Sequence, residues 1–459
     1  MDPSQLPLLS PEAGASPRSS SISAIIASQI PLPLDKADSV CWSYYDVTPP
    51  DEAPANPLEA PPSAGSGSAP LVAVIGVGYV GEHLVDVFSR CFPVLGFDVS
   101  EARVKVLSAK YANNARVTIV SDPARLSKAS HFLISVPTLL LPDKTVDTSY
   151  LRSALVTVSK HAARGSTVVF ESSVAVGMTR KLLGPLALAN GWFAGMSPER
   201  VDPGRTEPAA YEIPKVISGL DDVVAGSLDS IEELYSVAFH NVVTVSQPEV
   251  AEMTKLYENC QRMMCIAFAN EMANACVPFG IDPYEVCRAA ATKPFGYMSY
   301  APGLGVGGHC IPVNPYYLLS TSEFPLLKAA SESMYARPAE IGQKAIDLLY
   351  ADRSSSAGLP RVLVVGMGFK RGQSHLVNSP GLELAKSLVL SEKVAVSFAD
   401  PLVTKEAVPQ ITRLDEANWT VEYLEQNFDM IIVSFKPEGL DFDLLAKLKD
   451  SVRVQMWCA

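Results

Sequence analysis

The stretch "LVAVIGVGYVGEHLVDVF", residues 71–88, constrains the fold more than any other. An apolar run, a glycine turn and a helical pattern are followed by a second apolar run ending "VLGFD", which together make a βαβ unit. Its three glycines do different work. Gly76 permits the tight turn, Gly78 lets backbone approach a pyrophosphate, and Gly81 lets the helix pack on the strand. Tyr79 and Val80 open that helix, whose free N–H groups and dipole favour phosphate. Asp98 ends the next strand, 20 residues after Gly78. A carboxylate there binds both ribose hydroxyls and repels a 2′-phosphate, so NAD is expected rather than NADP. The competing reading is a glycine turn without a cofactor, and the flanking strand and Asp98 count against it.

The 459-residue chain has room for two to four domains. Residues 1–68 are rich in Pro, Ser and Ala and bury too little apolar surface to offset chain entropy, so a disordered tail is expected, with an aromatic island at Ser39–Val47. Residues 69–246 continue the α/β pattern through "HFLISVP" and "STVVFES", a parallel sheet with helices on its faces. Residues 247–345 are helical, for no proline or glycine interrupts Glu249 to Val277, and more than one face is apolar. Residues 346–459 start a second α/β domain at "PRVLVVGMGFK". That turn, with Gly366 and Gly368, lacks a third glycine and reads by itself as structural.

Several classes fall away. No apolar run approaches the roughly 18–20 residues needed to cross a bilayer, so no membrane partner is expected. The N-terminus lacks the basic, apolar, small-residue order of a secretory signal. A net charge of −12 argues against a broad nucleic-acid surface. The eight cysteines are scattered without metal-ligand spacing, so neither a metal nor a disulfide framework is expected, and a reducing, cytoplasmic setting is the simplest reading.

Candidate chemistry centres on "GLGVGGHCIPVNP", residues 303–315. Cys310 follows a glycine-dense loop suited to close approach of a ligand, and His309 or a nearby cation would favour its thiolate. The alternative is a small buried hydrophobe. Lys255 and Asn259, spaced i, i+4, share one face of the long helix; a lysine snorkelling to solvent is the competing role. Thr138, Glu171 and Ser173 follow sheet strands, and Glu199 lies in "MSPERVDPG". Strand C-termini of doubly wound sheets face the cofactor crevice, although a loop cap is the commoner role for any one such residue.

In order along the chain, "GVGYVG", "SVPT", "ESS", "SPERVDPG", "AEMTKLYEN", "ATKPFGY", "GVGGHCIP" and "GFKR…NSPGLELA" resemble the nucleotide-sugar 6-dehydrogenases, the UDP-glucose/GDP-mannose dehydrogenase family, from about Leu71 to the C-terminus. "SPERVDPG" and "ATKPFG" look most like the branch that oxidises UDP-N-acetylhexosamines. The resemblance implies two Rossmann-like doubly wound domains joined by a long central helix that forms a dimer, with the last domain binding the nucleotide sugar. It implies a four-electron oxidation at C6 of the sugar through a thiohemiacetal and a thioester on Cys310. Lys255 and Asn259 would stabilise oxyanions and position water, Glu199 would assist hydrolysis, and Ser173 and Asn314 would hold the catalytic water. Tyr79, Val80, Arg103, Thr138 and Glu171 would join the glycines and Asp98 at the cofactor. Arg200, Gly307, Phe369 and Lys370 would meet the substrate, and "GMGFK" would then lie beside its nucleotide.

The chain also departs from the family pattern. Asn314 replaces an aspartate; its amide hydrogen-bonds but does not accept a proton at neutral pH. Val377 and Trp457 stand where arginines are usual, and Leu139 where proline is usual. Arginine contacts to phosphate are bidentate and charge-assisted, and neither Val nor Trp replaces them. Two readings follow: a working NAD-dependent dehydrogenase, or a catalytically weak homologue that binds NAD or a nucleotide sugar and acts through partners.

Overall fold

The first strand, β1 (Val72–Ile75), is buried along its whole length, and its side chains divide between two cores. Ala73 and Ile75 join a cluster with Phe132, Phe170 and Trp192, while Val72 and Val74 join one with Leu84, Phe88 and Tyr235. Strands covered on both faces are what a parallel sheet between helices requires. In chain order the neighbours are β2 (Val94–Phe97), β3 (Val117–Val120) and β4 (His131–Ile134). A short hairpin, β5 (Leu139–Leu140) and β6 (Val146–Asp147), stands apart. Then come β7 (Thr167–Phe170), β8 (Phe193–Met196), β9 (Lys215–Gly219) and β10 (Val242–Thr244). The sheet order is β10-β9-β8-β7-β4-β1-β2-β3, with every pairing parallel except β8 with β9. That one reversal brings the start of β9, and Lys215 with it, beside the C-terminal end of β8.

This computed structural model describes residues 70–202, 207–351 and 358–458. The expected tail with its aromatic island, and Pro203 and Gly204 of "SPERVDPG", lie outside the described residues.

A second sheet, all parallel, follows with the order β13-β12-β11-β14-β15. Its strands are β11 (Arg361–Val365), β12 (Ala395–Ala399), β13 (Thr412–Arg413), β14 (Met430–Val433) and β15 (Arg453–Met456). Its side chains divide in the same way, Val362 and Val364 to one core and Leu363 and Val365 to the other.

Seven helices carry the rest of the account: α1 (Tyr79–Phe88), α2 (Met178–Asn190), α3 (Ser227–Ala238), α4 (Pro248–Cys276), α5 (Asn314–Leu319), α6 (Pro325–Ala351) and α7 (Pro380–Leu390). The expected long helix is α4, opened by Pro248 at a position where the missing N–H costs nothing. Its Leu256, Cys260, Met263 and Ala267 pack with Val313 and Tyr317 of the thiol loop region and with Leu327 and Met334 of α6. Its buried Glu252 accepts from Gly177 N–H (2.6 Å) and Thr179 N–H (2.8 Å), supplying α2 with the N-terminal partners a helix lacks.

The boundary expected at residues 345–346 falls inside α6. The second half of that helix packs Ile341, Ala345 and Leu349 into the core of the second sheet, and Gly342 lies close under Leu384 of α7. One helix therefore belongs to both the central region and the last domain.

Candidate active site

Around the first glycine turn, each glycine has a different measured constraint. Gly76 has φ +85°, and a Cβ there would stand 3.0–3.2 Å from Ser135 and Val136. At Gly81 a Cβ would stand 2.0 Å from the Gly76 carbonyl oxygen, so strand and helix meet backbone to backbone. At Gly78 no atom lies within 4 Å of that position, which leaves open space above the start of α1, and no side chain caps that helix. Asp98 accepts from Val77 N–H at 3.0 Å and Ser100 N–H at 2.9 Å, and a carboxylate retains acceptor capacity beyond two such bonds. The residues fit a dinucleotide: uncapped amides and a vacant approach for the pyrophosphate, and a carboxylate for the ribose. Arg103 supports the loop rather than reaching over it, its Nε donating to Val77 O (2.8 Å) and its Nη2 pairing with Glu82. Tyr79 is exposed, with its hydroxyl 3.4 Å from Asp202 O.

The second turn differs for a physical reason. Gly366 has φ +87°, and Asp400 accepts from Met367 N–H (2.8 Å) and Gly368 N–H (3.1 Å), much as Asp98 does in the first turn. The third glycine, absent from the local motif, is Gly381, whose Cβ would lie 2.2 Å from the Gly366 carbonyl. An insertion separates the two in sequence and hides the pattern. At Gly368 a Cβ would meet Gln373 O at 2.2 Å, so this loop folds onto itself where the first stays open.

Beyond the sheets, the thiol loop docks on this second turn. Asn378 Nδ2 donates to Gly308 O (2.9 Å), and Gly308 N–H donates to Val377 O (3.1 Å). Cβ atoms at Gly307 and Gly308 would both stand 3.0 Å from Phe369. The sequence reading gives the loop's glycines to ligand approach; the structure uses these two for close packing against Phe369. Lys370 reaches Asp202 at 3.4 Å, linking this turn to the first domain.

Lys255 and Asn259, one turn apart on α4, share a helix face and are both buried. Asn259 Nδ2 donates to Asn314 Oδ1 at 2.5 Å. Asn314 begins α5, and its N–H donates to Cys310 O at 2.9 Å. Cys310 itself is exposed. Burial lowers the Lys255 ammonium below its ordinary value, while Cys310, Glu199 and Glu258 pull it upward. His309 does not supply the cation expected beside the thiol, because burial, with His375 nearby, lowers its pKa and keeps it neutral.

Glu199 Oε1 accepts from Arg200 N–H (2.6 Å) and Val201 N–H (2.9 Å), and Oε2 accepts from Lys215 at 3.1 Å. The Arg200 guanidinium is committed to Glu258 (2.5 Å) and Pro214 O (2.8 Å). Ser173 is half-buried, and Thr138 is half-buried beside the Tyr317 hydroxyl. The sequence reading puts Glu171 at the cofactor. Its carboxylate instead turns inward, 2.6 Å from Lys215 Nζ and bonded to the Tyr235 hydroxyl. Lys215 and Tyr235 are the site residues that motif reading misses; the one available signal is a lysine opening the apolar strand "KVISG". Arg337 is also new. Its Nε donates to Gly303 O (2.9 Å), and its guanidinium lies 5.3 Å from the centre of the Trp457 ring.

Family models match two parts of the chain: the NAD-binding domain of the UDP-glucose/GDP-mannose dehydrogenase family over residues 71–239, and its central domain over residues 249–333. The UDP-N-acetyl-D-glucosamine 6-dehydrogenase of Pseudomonas aeruginosa is 31% identical over 359 residues, spanning 73% of this chain and 83% of that one. The chain belongs to the UDP-glucose/GDP-mannose dehydrogenase family. Another relative, the UDP-N-acetyl-D-mannosamine dehydrogenase of Pyrococcus horikoshii, is 31% identical over 72% of this chain and 84% of its own. A solved UDP-D-ManNAc dehydrogenase structure from Pyrococcus horikoshii superposes with a TM-score of 0.72 at 26% identity, covering 84% of this chain and 95% of that one. As a member of this family the chain is an NAD-dependent dehydrogenase, and NAD is its cofactor.

The two glycines of the cofactor turn predict opposite signatures. Gly78→Ala should leave the melting temperature nearly unchanged and weaken NADH binding, because its methyl enters only the open space. Gly81→Ala should lower stability by about 1–3 kcal/mol through overpacking. Calorimetry and NADH titration of both variants check this; equal effects of the two on binding and on stability would contradict the assignment.

Proposed function

We propose that this dehydrogenase oxidises the C6 hydroxyl of a UDP-N-acetylhexosamine to the uronic acid through a covalent intermediate on Cys310. The observation that carries the reading is the meeting of Lys255 and Asn259, one turn apart on α4, with the loop of Cys310 and Asn314. The relatives named above support the sugar class, since their names specify UDP-N-acetyl-D-glucosamine and UDP-N-acetyl-D-mannosamine.

Each residue has a chemical task. The turn of Gly76 and Gly78 with Asp98 would hold NAD, which when bound would supply the hydride acceptor, one NAD for each of the two oxidations. The first removes a hydride from C6 and releases the hydroxyl proton to solvent, leaving an aldehyde; the Cys310 thiol adds across it, sulfur to carbon and proton to oxygen, so a reactive carbonyl is retained as a thiohemiacetal. Loss of the second hydride from C6, with the thiohemiacetal hydroxyl proton released to solvent, leaves a thioester. Lys255, held in a nearly dry site, stabilises negative charge on the C6 oxygen at both stages. Water then adds to the acyl carbon while Glu199 takes its proton. The C–S bond breaks, and the proton returns to the leaving sulfur. Asn259 orients the oxygen or the water, and its bond to Asn314 fixes its amide. Asn314 holds water but takes no proton, which concentrates that task on Glu199. Arg337 places a guanidinium beside Trp457, so the region that lacks the usual arginine is not without positive charge.

The second α/β domain, from about residue 346, is read as the nucleotide-sugar domain because its glycine turn packs directly on the thiol loop. The outer face of α4 exposes Met253, Tyr257, Phe268 and Met272, which fall on one stripe at helical spacing and suit pairing with a second copy. Dimeric mass in sedimentation would support that pairing, and a monomer would count against it. A cytoplasmic setting suits a substrate of this class, and no helix among the described residues is long and apolar enough to cross a membrane.

Full-length protein with NAD and UDP-N-acetylglucosamine or UDP-N-acetylmannosamine should form two NADH per sugar oxidised. Cys310→Ser should abolish acid formation while NADH affinity stays nearly constant. Asn314→Asp, which adds a second proton acceptor, should raise turnover severalfold. Absence of NADH with both sugars, or acid formation undiminished in Cys310→Ser, would contradict the reading.

A further inference from the structure

Beneath the proposed base lies a sealed polar cluster that the glycine loop and the thiol do not explain. Lys215 is only 3% exposed, and its Nζ lies 2.6 Å from Glu171 Oε2 and 3.1 Å from Glu199 Oε2. The Tyr235 hydroxyl, from α3, donates to the other Glu171 oxygen. The Phe239 ring lies 5.5 Å from the ammonium. Lys255, from α4, acts on Glu199 from another side. Lys215 from β9, Tyr235 from α3 and Lys255 from α4 thus surround two carboxylates that follow β7 and β8, with Lys215 as the one ammonium bridging them.

Only Lys215 is paired with both carboxylates, so the two compete for its ammonium. Their surroundings differ. Glu199 also receives two backbone N–H groups and the field of Lys255. Glu171 receives a phenol and is otherwise sealed. Burial pushes Glu171 up to about 7 even against the pull of Lys215. Glu199 is also buried, yet Lys215 and the backbone N–H groups hold it below its ordinary value. Burial alone would lower Lys215, but the two carboxylates outweigh it and keep it charged.

We propose that Lys215 is a positioning residue that sets the proton affinity of Glu199 for thioester hydrolysis, and that Glu171 adjusts that affinity through the shared ammonium. The inference rests on the role proposed above for Glu199. The chemical step is unchanged: water adds to the acyl carbon, Glu199 takes the proton and returns it to sulfur. Lys215 touches neither water nor sugar in this account. When Glu171 is protonated, Lys215 belongs mainly to Glu199 and weakens it as a base. When Glu171 ionises, the ammonium is divided and Glu199 becomes more basic. The direction follows: hydrolysis accelerates as pH rises through the titration of Glu171.

The test uses full-length protein with NAD and whichever of the two UDP-N-acetylhexosamines yields NADH. The decay of the acyl adduct on Cys310 is followed by rapid quench and mass spectrometry at a series of pH values. The wild type should show a severalfold rise through neutral pH. Glu171→Gln, which keeps the shape of the side chain, should lose that rise. Lys215→Met should move the acid limb upward by more than about one pH unit, and Lys215→Arg should restore it to within about half a unit. Melting temperature and NADH affinity establish that each variant is folded; if Lys215→Met does not fold, Glu171→Gln decides the matter. A wild-type adduct whose pH profile is unmoved in Glu171→Gln overturns this inference alone. Absence of any Cys310 adduct in the wild type overturns the thioester reading as well.

Discussion

The hydrogen bond from Asn259 to Asn314 ties the central helix to the thiol loop, and the geometry of the site depends on it. Both side chains are buried, so neither has bulk water as an alternative partner. The bond fixes Asn314 at the head of a short helix, and Asn314 in turn holds the Cys310 carbonyl through its N–H. One turn along α4, Lys255 is buried on the same side. Aspartate at position 314 would accept the same hydrogen bond and add a proton acceptor. Asparagine keeps the architecture and gives up the acceptor, which places the demand for a base on Glu199.

That demand explains why the reversed strand of the first sheet matters. A parallel β9 would start at the opposite edge, far from the strand ends where Glu171 and Glu199 lie. Running antiparallel to β8, it delivers Lys215 to the edge that carries both carboxylates. The second domain contributes by contact with the thiol loop rather than through an open turn of its own. Phe369 fills the space above Gly307 and Gly308, and Asn378 and Val377 hold the loop backbone. Because α6 packs Leu327 and Met334 beside Val313 and Tyr317 and packs Ile341 and Leu349 on the second sheet, it joins the thiol loop region to the second domain.

Much of this was legible in the residues. The first βαβ unit, the long helix from Pro248 and the i, i+4 pair of Lys255 and Asn259 follow from periodicity and spacing, since each is a local pattern. What was not legible depends on contacts distant in sequence. Gly381 completes the second turn after an insertion, so no short motif contains it. Glu171 looked like a cofactor residue because it ends a strand, yet its partners come from β9 and α3. Gly307 and Gly308 read as ligand-facing because nothing local reveals Phe369. The helix across residues 345–346 escapes notice because its second half belongs with the second sheet through Ile341, Ala345 and Leu349 and through Gly342 against Leu384, contacts that no local pattern shows.

The central claim is that Cys310 carries the sugar as an acyl intermediate, and the most direct measurement is the mass of that residue during turnover. Full-length protein is mixed with NAD and a UDP-N-acetylhexosamine, quenched in acid and digested. The account predicts that the peptide containing Cys310 gains the mass of the oxidised nucleotide sugar as a thioester, that hydroxylamine removes the added mass, and that no other cysteine peptide is modified. NADH formation with an unmodified Cys310 peptide at every quench time would contradict it.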